Sequence, residues 1–447
     1  TMLRVSITKG PQDWQVLQQV NGVANIPLEG TCQPEDQRME VRAWVINEAD
    51  NTIVTEKAAA DVAGDGSWKL VIKGVPAGGP YMIRTELYKH RDNYSVFGDI
   101  IHHLGIGDVY VIAGQSNSSG YGQGVANDAP EIGVSVYRNN NKWDLASHPL
   151  NDPTGISNRT NLDWGHTSYS PWLSFAKLLK RELKYPIGLI QASLGGSPLS
   201  HWNPDQEGTL YKNMMNIIKS TGSGLTGVLW YQGCSDTDMP SATTYFERFK
   251  NMVERFRKDT GSNAWFITVQ LNRVIAVMPD DTPWSIVKDA QRRSALEIPR
   301  VLLLPSFDAN VSDEIHNDAN SNIMLGERAA KIVLNKVYGK GTQYCSAIAR
   351  NAYKTDKGLR IVFNDAANGL KLFGTIHNMT YEISDELGDV KALDCVISGN
   401  VMEIITERAL ASEAYVSMAH GSNPKPLMPV DVMTRIPAVA FYKLKIN

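Results

Sequence analysis

A chain of 447 residues is longer than one hydrophobic core ordinarily serves, so two or three domains are expected. Apolar residues make up 43% and charged residues 20%, a globular composition that excludes a disordered chain. The net charge of -3 offers no basic face for nucleic acid or an anionic membrane, and the longest apolar runs are strand-length, well short of a bilayer span.

The chain opens Thr1-Met2-Leu3-Arg4, with no basic segment leading into an apolar one. A cytoplasmic protein and one whose signal has been removed both fit that opening. Residues 1–104 read as short strands separated by turns. Met39 to Val45 and Ser67 to Ile72 alternate polar and apolar side chains, and Gly64-Asp65-Gly66 and Pro76-Ala77-Gly78-Gly79-Pro80 punctuate them. That pattern predicts an N-terminal β-sandwich-like domain.

The period changes over 105–340. Apolar runs at Val109–Ala113, Ile187–Ala192, Val228–Gln232, Trp265–Leu271 and Val301–Leu304 predict buried strands. Between them fall helical stripes: Trp172, Phe175, Ala176, Leu179 and Leu183; then Tyr245, Phe249, Met252, Val253 and Phe256; then Ile323, Ala330, Val333 and Val337. Strands alternating with amphipathic helices predict an α/β domain whose parallel sheet is covered on both faces. Gly339-Lys340-Gly341 marks a boundary, and strand patterns return over 341–447 at Leu359–Phe363, Leu370–Phe373 and Val401–Ile405, predicting a C-terminal β-rich domain.

The chemistry begins where the Val109–Ala113 strand runs into Gly114-Gln115-Ser116-Asn117. The glycine permits a sharp turn, and the serine hydroxyl is left at the strand's carboxyl end, where open α/β sheets place their ligand crevice. A free hydroxyl is a poor nucleophile and needs a base. Asp313-Glu314-Ile315-His316 offers one: His316 as base, with Asp313 holding its other ring nitrogen. On spacing alone, Asp313 would cap a turn or the following helix and His316 would be a surface residue. The loop position just before that helix favours a functional role.

Two more strand ends carry candidate donors for an oxyanion. Ile187–Ala192 runs into Ser193-Leu194-Gly195-Gly196-Ser197, and Val228–Tyr231 runs into Gln232-Gly233-Cys234. Glycine backbone N–H groups at one and a side-chain amide at the other suit that task, although ordinary tight turns also look like this. No His, Cys or Asp spacing predicts a metal site, and no cofactor is expected. Cys32, Cys234, Cys345 and Cys395 form no disulfide framework; Cys345 and Cys395 could pair, and free buried thiols fit as well.

Together these segments resemble the SGNH hydrolase superfamily, and most closely its sialate O-acetylesterase branch, related to acetylxylan esterases. Gly114-Gln115-Ser116-Asn117, Leu194-Gly195-Gly196-Ser197 with Trp202, Trp230-Tyr231-Gln232-Gly233 and Asp313-Glu314-Ile315-His316 match that family's blocks. Gly66-Ser67-Trp68 through Ile106-Gly107-Asp108-Val109-Tyr110 resembles its lead-in, and Met428-Pro429-Val430 to Phe441 its ending. Cys234 stands where the family often has glutamate, and Ser118 where methionine is common.

The resemblance implies a central SGNH-type (flavodoxin-like) α/β/α sandwich flanked by β-sandwich-like domains. It also implies Ser116 as nucleophile, His316 as base and Asp313 as its orienter. The Ser116 N–H, a glycine N–H at 195 or 196 and the Gln232 amide would form the oxyanion hole. The implied activity is removal of O-acetyl groups from a carbohydrate, a sialic acid first and acetylated xylan as the neutral alternative. The implied location is periplasmic or secreted. A glycan-binding surface protein with a dead hydrolase core is the reading from another class, and the intact Ser116, Asp313 and His316 weigh against it. Trp143, Trp164, Trp172 and Trp202 are candidates to stack on sugar rings, although most also fit a core and Trp172, on a helix's apolar stripe, reads as core. Arg138, Arg159, Arg273 and Arg292 are candidates to meet an anionic sugar.

Overall fold

A computed structural model describes residues 4–341 and 346–447. It is organised around the 21-residue strand Tyr94–Gly114, which belongs to two layers of structure at once. Its first half pairs antiparallel with Gly78–Lys89, which in turn pairs with Met39–Asn47. Its second half is the middle strand of a parallel sheet. The 104/105 division expected from the sequence therefore falls inside one strand and not in a linker.

Across the parallel part, the strand order is Trp143–Leu145, Val134–Tyr137, Ile187–Gln191, Tyr94–Gly114, Gly227–Tyr231, Trp265–Val269, Val301–Leu304. Only the edge strand Trp143–Leu145 runs antiparallel to its neighbour. All five sequence-predicted middle strands form; four match their expected limits within two residues, and the fifth ends as expected at Gly114 but begins far earlier, at Tyr94. After Tyr94–Gly114 the chain lays Val134–Tyr137, the edge strand and then the adjacent Ile187–Gln191 on one side, and builds the remaining three strands outward on the other. The strand direction of build-up thus reverses beside that strand, the place where such sheets open a crevice at their carboxyl ends.

Alternation along the sheet assigns its two cores. Val109, Val111 and Ala113 pack with Ile190, Val228, Trp230 and Phe266 under the helices Thr209–Thr221, Tyr245–Thr260 and Thr282–Glu297. Tyr110 and Ile112 point the other way, with Leu189, Leu229 and Ile267, under Trp172–Leu183 and Ala319–Lys336. The Trp172 and Tyr245 stripes are buried at every expected position. The third stripe is met in part: Ala330 and Val333 are fully buried, Ile323 and Val337 only partly, and Leu325, Ala329 and Ile332 join the contact. Its small residues, Gly326 among them, let the helix approach Pro171 closely, since a Cβ on Gly326 would lie 2.0 Å from the Pro171 carbonyl oxygen.

The N-terminal strands enclose a core of their own around Val41, Ile83, Leu28 and Trp68. The C-terminal residues form an eight-stranded sheet with a separate core around Ile361, Phe363, Val416 and Phe441. That sheet is joined to the middle of the chain by buried hydrogen bonds. Gln270 exchanges two with Ala440, donating at 2.9 Å and accepting at 2.8 Å, and Arg292 donates to the Ala349 carbonyl at 2.7 Å. Cys32, Cys234 and Cys395 are free thiols, and Cys345 lies outside the described residues.

Candidate active site

Ser116 is placed by a backbone that only glycine allows. Gly114 has φ +111°, and a Cβ there would sit 2.2 Å from the Tyr231 carbonyl oxygen. The chain can therefore turn off the strand against its neighbour, with the Gln115 N–H donating to that same carbonyl at 3.0 Å. Ser116 begins the single helical turn Ser116–Ser119. Its backbone N–H is one of the donors that a helix start leaves without an intrahelical acceptor.

His316 arrives from the loop before the Ala319–Lys336 helix. The loop is cross-tied by Ser312 N–H to the His316 carbonyl at 2.8 Å and Asp318 N–H to the Asn310 carbonyl at 3.0 Å. Asp313 does two things there. Its Oδ1 accepts the N–H groups of Ile315 and His316 at 2.8 and 2.7 Å, and its Oδ2 lies 2.6 Å from His316 Nδ1. The turn-capping role and the imidazole-holding role foreseen as alternatives coexist, one on each oxygen. With Nδ1 directed to Asp313, His316 Nε2 lies 2.8 Å from Ser116 Oγ. Partial burial pushes the Asp313 carboxyl up, but the two N–H donors and the imidazole outweigh it and leave it below the ordinary carboxylate value.

Neighbouring asparagines lock this loop to the nucleophile turn. Asn117 Oδ1 accepts the Asn317 N–H at 3.0 Å, and Asn117 Nδ2 donates to the Ile315 carbonyl at 3.2 Å. Asn272 reaches the same carbonyl from the far side at 2.5 Å. Tyr121, five residues past Ser116, lies parallel to the imidazole, with ring centroids 4.9 Å apart and planes at 22°. Sequence reasoning missed Tyr121, Asn117, Asn272 and Asn317. Only adjacency to Ser116 and His316 could have flagged Asn117 and Asn317; nothing local marks Asn272.

Two of the expected oxyanion donors are otherwise engaged. The Gln232 side chain is fully buried: its amide donates to Asp236 Oδ2 at 2.7 Å and the Ser197 carbonyl at 3.2 Å, and its Oε1 accepts the Tyr245 hydroxyl at 2.8 Å. Gly195 N–H donates to both oxygens of Asp163 at 3.1 Å. The Gln232 engagement corrects the sequence reading, whereas that of Gly195 leaves the expected glycine donor open at 196; in both cases buried carboxylates that the sequence pattern did not bring into play compete for the donors. Gly196, at φ +67°, completes the turn, which is tied to the nucleophile segment by Leu194 N–H to the Gly114 carbonyl at 3.0 Å.

Cys234 is partly buried, and desolvation pushes its thiol up to about 12, the opposite of a reactive cysteine. Of the four tryptophans, Trp143, Trp172 and Trp202 are buried and only Trp164 is open, at 79% exposure. Arg138 and Arg292 are buried and spent on main-chain carbonyls. Arg273 reaches Asn423 and the Ala309 carbonyl beside the His316 loop.

Among the described residues, one group has metal-ligating proximity: Glu40, Asp61 and His90, far from Ser116 in the N-terminal sheet. Arg38 and Arg42 already pair its carboxylates at 3.0 and 2.8 Å. A groove of about 750 Å³ between the N-terminal strands and the Thr221 turn shares no residue with Ser116 and His316. No helix among the described residues is long and apolar enough to cross a membrane.

The model of the carbohydrate esterase family of sialic acid-specific acetylesterases matches residues 106–335. The chain belongs to that family. Among curated relatives, the sialate O-acetylesterase of Homo sapiens is 24% identical over 246 residues, covering 46% of this chain and 45% of the relative. That of Pongo abelii is 25% identical over 244 residues with the same coverage. The chain thus spans less than half the length of these curated relatives. A solved carbohydrate acetylesterase from Xanthomonas citri superposes with a TM-score of 0.71 over 98% of this chain and 99% of its own, at 20% identity, a likeness of fold. The family match contains Ser116, Gly195, Gly196, Gln232, Asp313 and His316 within its bounds.

Proposed function

We propose that this member of the sialic acid-specific acetylesterase family hydrolyses O-acetyl esters on a carbohydrate, a sialic acid being the leading substrate. The catalytic unit would be residues 105–340, an SGNH-type α/β/α sandwich, with β-rich units over 1–104 and 341–447 on either side. The observation that carries the reading is the continuous chain of contacts from Asp313 through His316 to Ser116, at 2.6 and 2.8 Å.

In this reading Ser116 Oγ attacks the acetyl carbonyl while its proton passes to His316 Nε2. Asp313, ionised, keeps the imidazole in the tautomer that presents Nε2 to the serine and stabilises the imidazolium. The carbonyl oxygen becomes an oxyanion facing the N–H groups of Ser116 and Gly196. Gln232 and Gly195 act from behind, fixing the turns that carry those donors. The imidazolium returns its proton to the sugar hydroxyl as it leaves. Water, activated by the same base, then releases acetate and restores Ser116. No metal or cofactor enters the scheme. We place the protein outside the cytoplasm as part of the same reading.

The neutral-substrate alternative is separated by acetate release from 9-O-acetylated sialic acid and from acetylated xylan under one set of conditions. Faster release from the sialic acid is expected. Release from xylan alone would move the substrate to the neutral class while leaving the chemistry intact, and release from neither would remove the activity.

A further inference from the structure

Asp163 is a buried carboxylate, 4% exposed, that no ion pair reaches among the described residues. Its charge is held by neutral donors: the Tyr121 hydroxyl at 2.7 Å, Asn151 Nδ2 at 2.9 Å and Gly195 N–H at 3.1 Å to each oxygen. A buried charge is expensive unless its hydrogen bonds are made, so such a group persists where its donors are themselves worth fixing.

The donors converge on the reaction centre from two directions. The Tyr121 ring lies against the His316 imidazole at 4.9 Å and 22°. Gly195 opens the glycine turn that is tied to Gly114 beside Ser116. A Cβ on Gly195 would meet Asp163 Oδ1 at 2.6 Å and the Tyr121 hydroxyl at 3.3 Å, so glycine, carboxylate and phenol are in mutual contact. One carboxylate therefore reaches the base through an aromatic ring and the oxyanion side through a backbone N–H.

We propose that Tyr121 and Asp163 are positioning residues that act as a unit on His316 and on the Gly195–Gly196 turn. The inference rests on the roles proposed for Ser116 and His316. When the Ser116 proton reaches Nε2, the imidazole gains a positive charge. The face of an aromatic ring attracts a cation, and the attraction grows when the site is shielded from water. A phenol that donates its hydrogen bond to a carboxylate is more electron-rich than a free one. The imidazolium thus lies between Asp313 at Nδ1 and the Tyr121 face, with Asp163 behind that ring. The unit both holds the ring plane of the base and favours its protonated form. The same carboxylate prevents the glycine turn from drifting away from the nucleophile.

The test compares Tyr121→Phe, Tyr121→Leu, Asp163→Asn and the double variant Y121L/D163N with the parent and Ser116→Ala. It measures kcat and KM for p-nitrophenyl acetate across the acid limb, with a melting curve for each protein. Tyr121→Leu is expected to lower kcat roughly tenfold or more with little change in KM, and to alter the acid limb of the pH profile. Tyr121→Phe, which keeps the ring, should recover most of kcat. Y121L/D163N should cost no more than the worse of its two single variants, as expected for groups acting through one another.

Unchanged kcat and acid limb in Tyr121→Leu, or strict additivity in the double variant, with Ser116→Ala inactive, would overturn the positioning proposal alone. A change confined to melting temperature would overturn it as well. Activity persisting in Ser116→Ala would instead remove the reading on which it rests. If Asp163→Asn does not fold, the Phe and Leu variants of Tyr121 decide the matter between them.

Discussion

Gly114 and Tyr231 are in backbone contact so close that a Cβ on the glycine would lie 2.2 Å from the tyrosine carbonyl oxygen. The two residues sit on adjacent parallel strands in register, Tyr231 opposite Gly114. This contact lets the nucleophile turn leave the sheet without breaking the ladder beside it. Gly114→Ala should therefore be damaging twice over, by the overlap and by the positive φ. We expect destabilisation of several kcal/mol in denaturant unfolding and loss of esterase activity beyond what the unfolded fraction explains. A variant with normal stability and turnover would show that the turn does not set Ser116.

Gln232 offers a second distinction. A direct oxyanion donor would cost on the order of a hundredfold in kcat when removed, with stability untouched. The buried network seen here predicts otherwise. Gln232→Ala leaves Asp236 without its 2.7 Å donor and Tyr245 with only the 3.3 Å main-chain carbonyl of residue 232 in place of its 2.8 Å acceptor, so unfolding stability should fall by about 1–3 kcal/mol along with kcat. Denaturant unfolding and steady-state kinetics on the same preparation separate the two.

Trp164 is the exposed tryptophan of the candidate site, and its backbone is pinned on both sides. Asp163 bonds Tyr121, and a Cβ on Gly165 would lie 2.7 Å from the Tyr121 hydroxyl. An open indole on the segment whose Asp163 and Gly165 pack against Tyr121 suits the apolar face of a sugar ring. In Trp164→Ala, the ratio of kcat/KM on acetylated sialic acid to that on p-nitrophenyl acetate should fall severalfold, and Trp164→Phe should restore most of it. An unchanged ratio would exclude the indole from sugar recognition.

Lys288 is fully buried in the Thr282–Glu297 helix, with Nζ donating to the Ala419 carbonyl at 3.0 Å across the junction with the C-terminal sheet. Burial pushes its ammonium down to about 7, with Asp281 opposing the shift and Arg273 adding to it. An unfolded lysine keeps its proton to about pH 10. Between those values the unfolded chain binds the extra proton, so this group makes stability rise with pH; below the lower value, both states are charged and the slope vanishes. Lys288→Met should flatten the rise of melting temperature above neutral pH relative to the parent. Parallel pH profiles in the two proteins would contradict the assignment.

The sequence made some of this legible for a physical reason. Parallel strands buried on both faces appear as apolar runs, and the Val109–Ala113 and Val301–Leu304 strands were visible that way. Ser116 and His316 were visible because each follows a recognisable change in backbone, a strand end and a helix lead-in. What stayed hidden depended on contacts between distant residues. Asp163 lies in a loop with no periodicity, and only the folded chain brings it to Tyr121 and Gly195. Gln232 occupied its predicted strand end, but the direction of its amide was decided by Asp236 and Tyr245. The strand Tyr94–Gly114 looked like the end of one domain and the start of the next because its exposure pattern changes midway, from half-exposed to fully buried.

In the proposed reaction Ser116 carries the acyl group, activated by His316 across 2.8 Å. Intact-protein and peptide mass spectrometry after reaction with a serine-directed phosphonate tests it most directly. One adduct is expected, on the peptide containing Ser116, absent in Ser116→Ala and slowed at least a hundredfold in His316→Ala. An adduct on a different residue, or esterase activity surviving in Ser116→Ala, would contradict it.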